Sequence, residues 1–524
     1  MNTKSIIKIG LISTATGLIT GCLPSDQKDK NIKPNILFIS IDDLRPDLGC
    51  YGNEEIKTPN IDNFSRDAVV FSRTYCQSAV SAPSRASLMT GLRPDSTHVW
   101  HLGDKFRNTI PDVLTMPQYF HQYGYYTVSL GKIFHNYMPD SVSWDEPDLR
   151  PEQYKMVGML NRDGETFYYD PEIQKAQKKL REEIVKRRPG GYADGWNCGP
   201  AFECSDAPDN AFYDGAQTDL AIKTMQRLKE KEQPFYMAMG YFRPHLPFVA
   251  PKKYWDLYNR DSIRIPDNMY LPKNSPVWAM NSMYELRGYS GFKHIKHPSE
   301  NSFSDDTVKL LKHGYYASVS YVDACVGRLL DELKRLDLYE NTIVIIWGDH
   351  GWKLGEHNSW CKQTNYEIDT HVPMIIYAPQ IKAKGQECDG FTELVDIFPT
   401  LCELAGVNVP AYLQGTSVAP LLDKPDLPWK NAVFSQFHRR PRITPDGKRY
   451  MGYSMRTGQY HFIEWYYWDN KNKVSTELAG LELYDLNLDP DENNNIANLK
   501  QNIELTKKLS NQLSKGWKEA VPKN

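Results

Sequence analysis

Recurrent apolar runs constrain the fold of this chain more than any other feature of its sequence. The first run, residues 35–41, is followed by comparable runs at 126–130, 235–240, 342–347 and 374–377. Unbroken apolar segments of this length are typical of central parallel strands that are covered on both faces. Helical patterns are predicted at about 214–230, 305–336 and 393–405. Strands that alternate with helices indicate an α/β fold, with a mostly parallel central sheet flanked by helices.

The pattern changes beyond residue 423, where short aromatic-rich segments are joined by turns. Segments 433–437, 450–456, 460–468 and 483–486 are predicted to be strands of a small antiparallel sheet, followed by a helix near 503–517. We therefore expect a main domain over residues 34–428 and a smaller C-terminal antiparallel-sheet subdomain over 429–524.

The N-terminus has the character of an export signal. Lys4 and Lys8 precede an apolar stretch at 9–19, which is too short for a stable membrane span. The segment that ends in Cys22 resembles a bacterial lipoprotein box, so we expect a signal peptide over 1–21, lipidation of Cys22 and a polar tether over 22–33. An ordinary cleaved signal with an incidental cysteine is the alternative. Either way we expect export, with the protein in the periplasm or at the cell surface.

Charge and cysteine content narrow the classes of partner. The formal net charge is −3, which gives no argument for binding nucleic acid, and the membrane is expected to be contacted only through a lipid. Eight cysteines besides Cys22 are too few for a disulfide framework in a chain of 524 residues, and Cys198 with Cys204 is the best candidate pair. No C-x-x-C motif is present, so a thiolate zinc site is unsupported.

The segment 81–85 reads Ser-Ala-Pro-Ser-Arg and suggests a nucleophile prepared for chemistry on an anion. Pro83 fixes the turn, and Ser84 is expected to cap a helix that starts at about residue 86. Ser81 would then lie at a helix N-terminus, where backbone N–H groups favour negative charge, and Arg85 would add a planar set of donors for an oxyanion. A surface turn with no function is the alternative for this motif alone.

Acidic residues follow two of the predicted strands. The first strand ends at Asp42 and Asp43, and the strand at 342–347 leads to Asp349 and His350. Functional groups collect at the carboxyl ends of strands in such sheets, so these four residues and an oxygen from Ser81 are expected to share one divalent cation. Mostly oxygen ligands favour Ca²⁺ over Mg²⁺, while the imidazole leaves Zn²⁺ or Mn²⁺ open.

Basic groups occupy corresponding positions elsewhere. Lys132 and His135 follow the strand at 126–130, His245 follows the strand at 235–240, and Lys362 lies just beyond the Asp349 loop. Each of them alone could be a surface lysine or a structural histidine. Their common position after predicted strands makes them candidate catalytic residues.

Together these motifs resemble the type I, formylglycine-dependent sulfatases of the alkaline phosphatase superfamily, and in particular the iduronate-2-sulfatase group. The resemblance extends over about residues 34–495. It rests on segments 42–46, 49–52, 59–62, 81–91, 131–135, 348–357 and 482–486. It implies an alkaline-phosphatase-like sheet. Most animal members carry cysteine where this chain has Ser81, and the serine version resembles bacterial sulfatases in which a radical-type maturase oxidises the residue to formylglycine.

The resemblance also implies a mechanism. A hydrated formylglycine at position 81 would attack sulfur, activated by the cation and by Asp349 as base. His245 and Lys362 would bind the sulfate and protonate the leaving oxygen. His135 would take the proton of the second hydroxyl, so that sulfate is expelled and the aldehyde returns. The remaining implied residues, which orient the diol and stabilise charge, are Arg85 and Lys132.

The implied substrate is a sulfated oligosaccharide. The likeness suggests the 2-O-sulfate of a non-reducing-end uronic acid, unsaturated when a polysaccharide lyase has produced it, and leaves open heparan- or chondroitin/dermatan-type chains. Candidate sugar-binding residues are His98, Trp100, Lys105, Trp352 and Lys353. Core packing is the alternative for the two tryptophans. Two other functions stay open, namely phosphomonoester or phosphonate hydrolysis by unmodified Ser81, and a non-catalytic glycan-binding lipoprotein.

Overall fold

A parallel core sheet forms where the apolar runs of the sequence lie. The computed structural model describes residues 33–135, 138–154, 168–187, 199–300, 303–441 and 444–522. The strands are β1 (Asn35–Ile41), β2 (Val69–Tyr75), β3 (Tyr126–Gly131), β4 (Phe202–Ser205), β5 (Phe235–Tyr241), β6 (Phe248–Pro251), β7 (Thr342–Gly348), β8 (Lys353–Leu354), β9 (Trp360–Cys361), β10 (His371–Tyr377), β11 (Glu387–Cys388), β12 (Thr392–Glu393), β13 (Ala432–Arg439), β14 (Tyr450–Thr457), β15 (Tyr460–Asp469) and β16 (Val474–Asp485).

Helices lie between these strands and cover the sheet. They are α1 (Pro59–Ser65), α2 (Ser81–Thr90), α3 (Pro94–Thr97), α4 (Met116–Gln122), α5 (Pro171–Arg187), α6 (Tyr213–Lys229), α7 (Lys252–Trp255), α8 (Asp305–Arg335), α9 (Glu367–Thr370), α10 (Ile397–Leu404) and α11 (Ile503–Lys515). The helices predicted near 214–230, 305–336 and 503–517 are confirmed as α6, α8 and α11. The segment predicted from 393 begins with a 3-10 turn at 394–396, and its α-helix starts at Ile397.

The central sheet has the order β11-β2-β10-β7-β1-β5-β3, with β12 also paired to β2. Strands β7, β1, β5 and β3 run parallel, and β10 is antiparallel to both β7 and β2. All seven residues of β1, β5 and β7 are buried, which is why their sequences are continuously apolar. The predicted mostly parallel α/β sheet is confirmed, whereas β2 was not predicted because its polar centre interrupts the apolar run.

The register of the parallel strands places their carboxyl ends side by side. Ile41 at the end of β1 pairs with Tyr241 of β5 and with Gly348 of β7. At the end of β3, a Cβ on Gly131 would lie 2.1 Å from the carbonyl oxygen of Gly240. Only glycine allows this close approach, which holds the following residue, Lys132, at the same edge of the sheet.

The C-terminal sheet is antiparallel with the order β13-β14-β15-β16, as predicted. Strand β16 is longer than the predicted 483–486, because it begins at Val474. Its first half is largely exposed on both faces, so it lacks the apolar alternation by which a strand is recognised. Leu509 of α11 packs with Phe462 and Leu483 in a small core on one side of this sheet.

The predictions made for the N-terminus concern residues outside the described ranges. These are the signal peptide, the lipidated Cys22 and most of the 22–33 tether, and Cys198 of the suggested disulfide lies outside them as well. Residues 34–524 form one compact unit, and the boundary expected at 428/429 stays a prediction. Within the described ranges, no helix combines the length and the apolar character needed to cross a bilayer.

A buried network of charges joins the start of the C-terminal sheet to the main sheet. The Lys430 ammonium donates to Glu393 at 2.8 Å and to both oxygens of Asp396 at 2.7 Å. Arg93 donates to both oxygens of Glu393, at 2.8 and 2.7 Å. Burial alone would raise the pKa of Glu393, but Arg93 and Lys430 lower it to about 2. Glu393 is therefore ionised, and both carboxylates depend on these cations for charge compensation.

We predict that Lys430→Met lowers the free energy of unfolding by about 3–5 kcal/mol, because it leaves Asp396 as a buried carboxylate without its cation. Chemical denaturation of the purified protein measures this value. The matched control is Lys382→Met, whose partner Asp423 is exposed, and it should change stability by less than about 1 kcal/mol. Equal effects of the two substitutions would contradict the proposed importance of the buried network.

Candidate active site

The candidate nucleophile begins a helix, although not in the way the sequence suggested. Helix α2 starts at Ser81 itself, after an extended Val80, so Ser84 does not cap it. The Ser84 hydroxyl instead donates to the Asp349 carbonyl oxygen at 2.5 Å. Pro83 lies in the first turn, where its missing N–H costs no helical hydrogen bond. Ser81 therefore lies at the helix N-terminus, as expected, and is 2% exposed.

Four potential ligands converge beside Ser81. Asp42, Asp43, Asp349 and His350 are buried, and their ligand atoms lie within 4.8 Å of one another. The Ser81 hydroxyl lies 3.2 Å from Asp42 Oδ1 and 3.0 Å from His350 Nε2. These are the five residues that the strand-end pattern singled out. They come together because β1 and β7 are neighbours in the sheet.

The chemistry of this donor set fits a divalent cation. Three buried carboxylates face one another, and burial raises the pKa of Asp43 well above its usual range, against the attraction of Lys362. Neighbouring carboxylates raise it further, so a positive charge between them would relieve a real repulsion. Oxygen atoms dominate the set, which matches a hard cation such as Ca²⁺ or Mg²⁺.

Arg85 and Lys132 supply the buried positive charge on the other side of Ser81. Arg85 is fully buried and donates to Asp349 Oδ2 at 2.8 Å and to Asp42 Oδ1 at 3.1 Å. The Lys132 ammonium forms an ion pair with Asp42 and lies 3.5 Å from the Ser81 hydroxyl oxygen. The structure thus places both residues next to position 81.

His245 and Lys362 lie on the Asp43 side of the site. The Lys362 ammonium contacts Asp43 at 2.8 and 2.9 Å, and His245 Nε2 lies 3.8 Å from Asp43 Oδ2. Burial lowers the pKa of His245 well below its usual range, and Lys362 and Lys132 lower it further. Both groups therefore lie beside Asp43, one of the candidate cation ligands.

His135 lies at the edge of a cavity of about 550 Å³, which is also lined by Ala82 and Lys105. Its Nδ1 atom is buried and has no hydrogen-bond partner among the described residues. Burial lowers the pKa of His135, as does the nearby Lys132, so the imidazole is neutral and can accept a proton. The cavity joins this proton acceptor to the surroundings of the nucleophile.

The expected sugar-binding residues divide into two groups. His98 and Trp100 stack with ring centroids 5.1 Å apart, and the Trp100 indole N–H donates to Asp95 at 2.9 Å. These two residues are exposed or half-buried, as is Lys105, and so remain candidates. Trp352 and Lys353, by contrast, have no exposed surface, and this part of the expectation is wrong.

The two corrected residues have structural roles instead. The Lys353 ammonium is held by Asp369 and Thr364 at 2.5 and 2.7 Å. The Trp352 ring packs 4.7 Å from the Lys362 ammonium and so forms part of the wall behind the site. Core packing, the alternative reading for Trp352, is the one that the structure supports.

One contributor was missed by the sequence analysis. Glu285 lies 3.0 Å from the Lys362 ammonium and 3.2 Å from His245 Nε2. It precedes a short 3-10 turn, Leu286–Gly288, in a region without regular strands. No strand end marks this position, so periodicity and spacing could not have pointed to it.

Comparisons with known proteins agree with this geometry. The Sulfatase family pattern matches residues 34–407, and the N-sulphoglucosamine sulphohydrolase C-terminal pattern matches residues 355–519. Mouse iduronate 2-sulfatase is 31% identical over 520 residues, which cover 88% of this chain and 91% of the mouse protein. The chain therefore belongs to the sulfatase family and is a sulfuric ester hydrolase.

Solved structures give the same fold. One, determined in complex with D-glucosamine-2-N,6-O-disulfate, has a TM-score of 0.69 and 22% identity and covers 93% of this chain and 98% of its own. Another, a 2-O glycosaminoglycan sulfatase, has a TM-score of 0.66 and 21% identity, with 93% of each chain covered. The alkaline-phosphatase-like sulfatase fold is thereby confirmed.

We predict that Ca²⁺ raises the melting temperature of chelator-treated protein and that Asp349→Asn abolishes this rise. Binding to the native state alone adds about 2.7 kcal/mol of stability when the ion is a hundredfold above its dissociation constant. Differential scanning calorimetry measures the shift. Asp323→Asn is the matched control, since Asp323 is an equally buried carboxylate that accepts hydrogen bonds from backbone N–H groups of α1. A full calcium response in Asp349→Asn would count against the site.

Proposed function

We propose that this protein hydrolyses the 2-O-sulfate ester of a non-reducing-end, unsaturated uronic acid in saccharides derived from heparin/heparan sulfate or chondroitin/dermatan sulfate. The observation that carries the proposal is the contact of Ser81 with Asp42, His350 and Lys132 at the edge of the sheet. Similarity to iduronate 2-sulfatase over nearly the whole chain supports the choice of sugar and position.

The reaction begins at residue 81, which is converted to formylglycine and hydrated. One of its hydroxyl groups attacks sulfur, while Asp349 accepts the proton. Sulfur gains a bond to oxygen on residue 81 and loses its bond to the sugar oxygen, which takes a proton from the Lys362 ammonium beside the neutral His245. These two residues also bind the sulfate oxygens, since both lie within 3.8 Å of Asp43, which is 3.3 Å from the His350 imidazole beside Ser81.

Release of sulfate uses the second hydroxyl on the same carbon. His135 accepts the proton of this hydroxyl, the carbon–oxygen bond to sulfate breaks, and the aldehyde is restored. An unmodified serine ester would instead need water to attack sulfur a second time. Arg85 and Lys132 orient the diol and stabilise the developing negative charge.

The cation, which we propose to be Ca²⁺, would be held by Asp42, Asp43, Asp349, His350 and the oxygen of residue 81. It would supply Lewis-acid activation of that oxygen when bound. We further propose that a radical-type maturase modifies Ser81, and that the protein is exported to the periplasm or cell surface and anchored through a lipid on Cys22.

We predict that the tryptic peptide carrying position 81 is lighter by about 2 mass units when the protein is produced with its maturase, because two hydrogens are removed. Peptide mass spectrometry detects the change. Protein produced without maturase, and Ser81→Ala, should lack both the change and the sulfatase activity. Full activity with an intact serine would favour the alternative of hydrolysis by an alcohol nucleophile.

We predict that, among unsaturated disaccharides that differ only in the position of one sulfate, the 2-O-sulfated uronate isomers are desulfated fastest. A panel of N-, 2-O-, 4-O- and 6-O-sulfated isomers, assayed by chromatography with matured and calcium-loaded protein, tests this. Comparison of the heparan-type and chondroitin-type members gives the chain preference. Binding of the 2-O-sulfated isomers without turnover would support a glycan-binding lipoprotein instead.

A further inference from the structure

Glu285 places a carboxylate directly behind the two groups that are expected to hold the sulfate. A single oxygen, Oε1, contacts both the Lys362 ammonium and His245 Nε2, at 3.0 and 3.2 Å. Its side chain is 13% exposed, so it is not fully enclosed in the protein core.

The contacts of Lys362 show what this carboxylate does locally. An ammonium group has three donors, and three carboxylate oxygens lie within 3.0 Å of this one: two on Asp43 and one on Glu285. When the cation is bound, the Asp43 carboxylate is expected to coordinate it. Glu285 then remains as the carboxylate that holds Lys362 and His245 in place.

The formal charges around the site indicate a second role for Glu285. Four carboxylates, those of Asp42, Asp43, Asp349 and Glu285, face the three cations of Arg85, Lys132 and Lys362. This cluster has one formal negative charge, and a divalent ion converts it to one positive charge. That value matches the single charge of a sulfate ester, whereas a phosphate monoester carries about −1.5 to −2 at neutral pH.

We propose that Glu285 is a specificity-determining residue, which limits the anion bound at position 81 to one negative charge and so disfavours a phosphate monoester of the same shape. The inference rests on the proposed function, because it takes residue 81 as the sulfur-accepting group. It explains why an acid stands next to residues that must attract an anion.

The test compares three ligands of one shape: a uronate glycoside carrying a 2-O-sulfate, a 2-O-methylphosphonate or a 2-O-phosphate. The first two carry one charge on the transferred group, and the third carries two at pH 8. Calorimetry with calcium-loaded Ser81→Ala protein measures binding without turnover. Adding Glu285→Gln should improve phosphate binding relative to sulfate by at least about tenfold, since a nearby negative charge that repels the phosphate is removed. The methylphosphonate-to-sulfate ratio should stay the same.

Two further variants complete the design. Glu285→Asp keeps the charge and should keep the parental preference. Glu356→Gln is the matched control, since Glu356 is 14% exposed and paired with Arg45 but contacts neither Lys362 nor His245 in the described structure, and it should leave all ratios unchanged.

Three results would overturn the inference: an unchanged phosphate-to-sulfate ratio in Glu285→Gln, equal shifts for phosphate and methylphosphonate, or loss of all three ligands. The last two would assign Glu285 a role in shape or structure only. Failure of the proposed function is distinguishable from these results, because it would appear as wild-type protein that does not desulfate the 2-O-sulfated disaccharides.

Discussion

The compensation of buried charge at one edge of the central sheet is the constraint on which this structure depends. Asp42 and Asp349 follow adjacent parallel strands, so they are held close together whether or not their charges repel. Arg85 bridges the two carboxylates, and Lys132 pairs with the first of them. A single charged side chain is costly to bury. Burial of this cluster is favourable only when all its members are present together. Ser81, the candidate cation ligands and the proposed anion-binding groups are therefore parts of a single electrostatic unit.

Much of this arrangement could be predicted from sequence, because it follows from strands that are buried on both faces. The apolar runs at 35–41 and 342–347 marked the central strands, and the polar residues just after them marked the site. Strand β2 and the two-residue edge strand β11 were missed, since their residues have no continuous apolar pattern. Burial of Trp352 and Lys353 depends on contacts between distant segments. Glu285 lies in an irregular loop, where only the tertiary structure brings it to the site.

The C-terminal sheet contacts the loop of the main domain that carries His98 and Trp100. Asp95 accepts hydrogen bonds from the Trp100 indole, from Gln436 on β13 and from the Tyr453 hydroxyl on β14. Trp468 of β15 packs edge-on against Trp100, with ring centroids 5.1 Å apart. The stacked His98–Trp100 pair is thus fixed by residues more than 300 positions away in sequence. The positions of these two candidate sugar-binding residues therefore depend on the packing of the C-terminal sheet.

The burial of Ser81 restricts when its side chain can be altered. At 2% exposure, and enclosed by α2, Asp42 and His350, its hydroxymethyl group is out of reach of another enzyme's catalytic pocket. The oxidation that we propose for Ser81 therefore requires a chain that has not yet folded around this residue. In that proposal the order is synthesis first, oxidation second, and closure of the tertiary structure around the new carbonyl last.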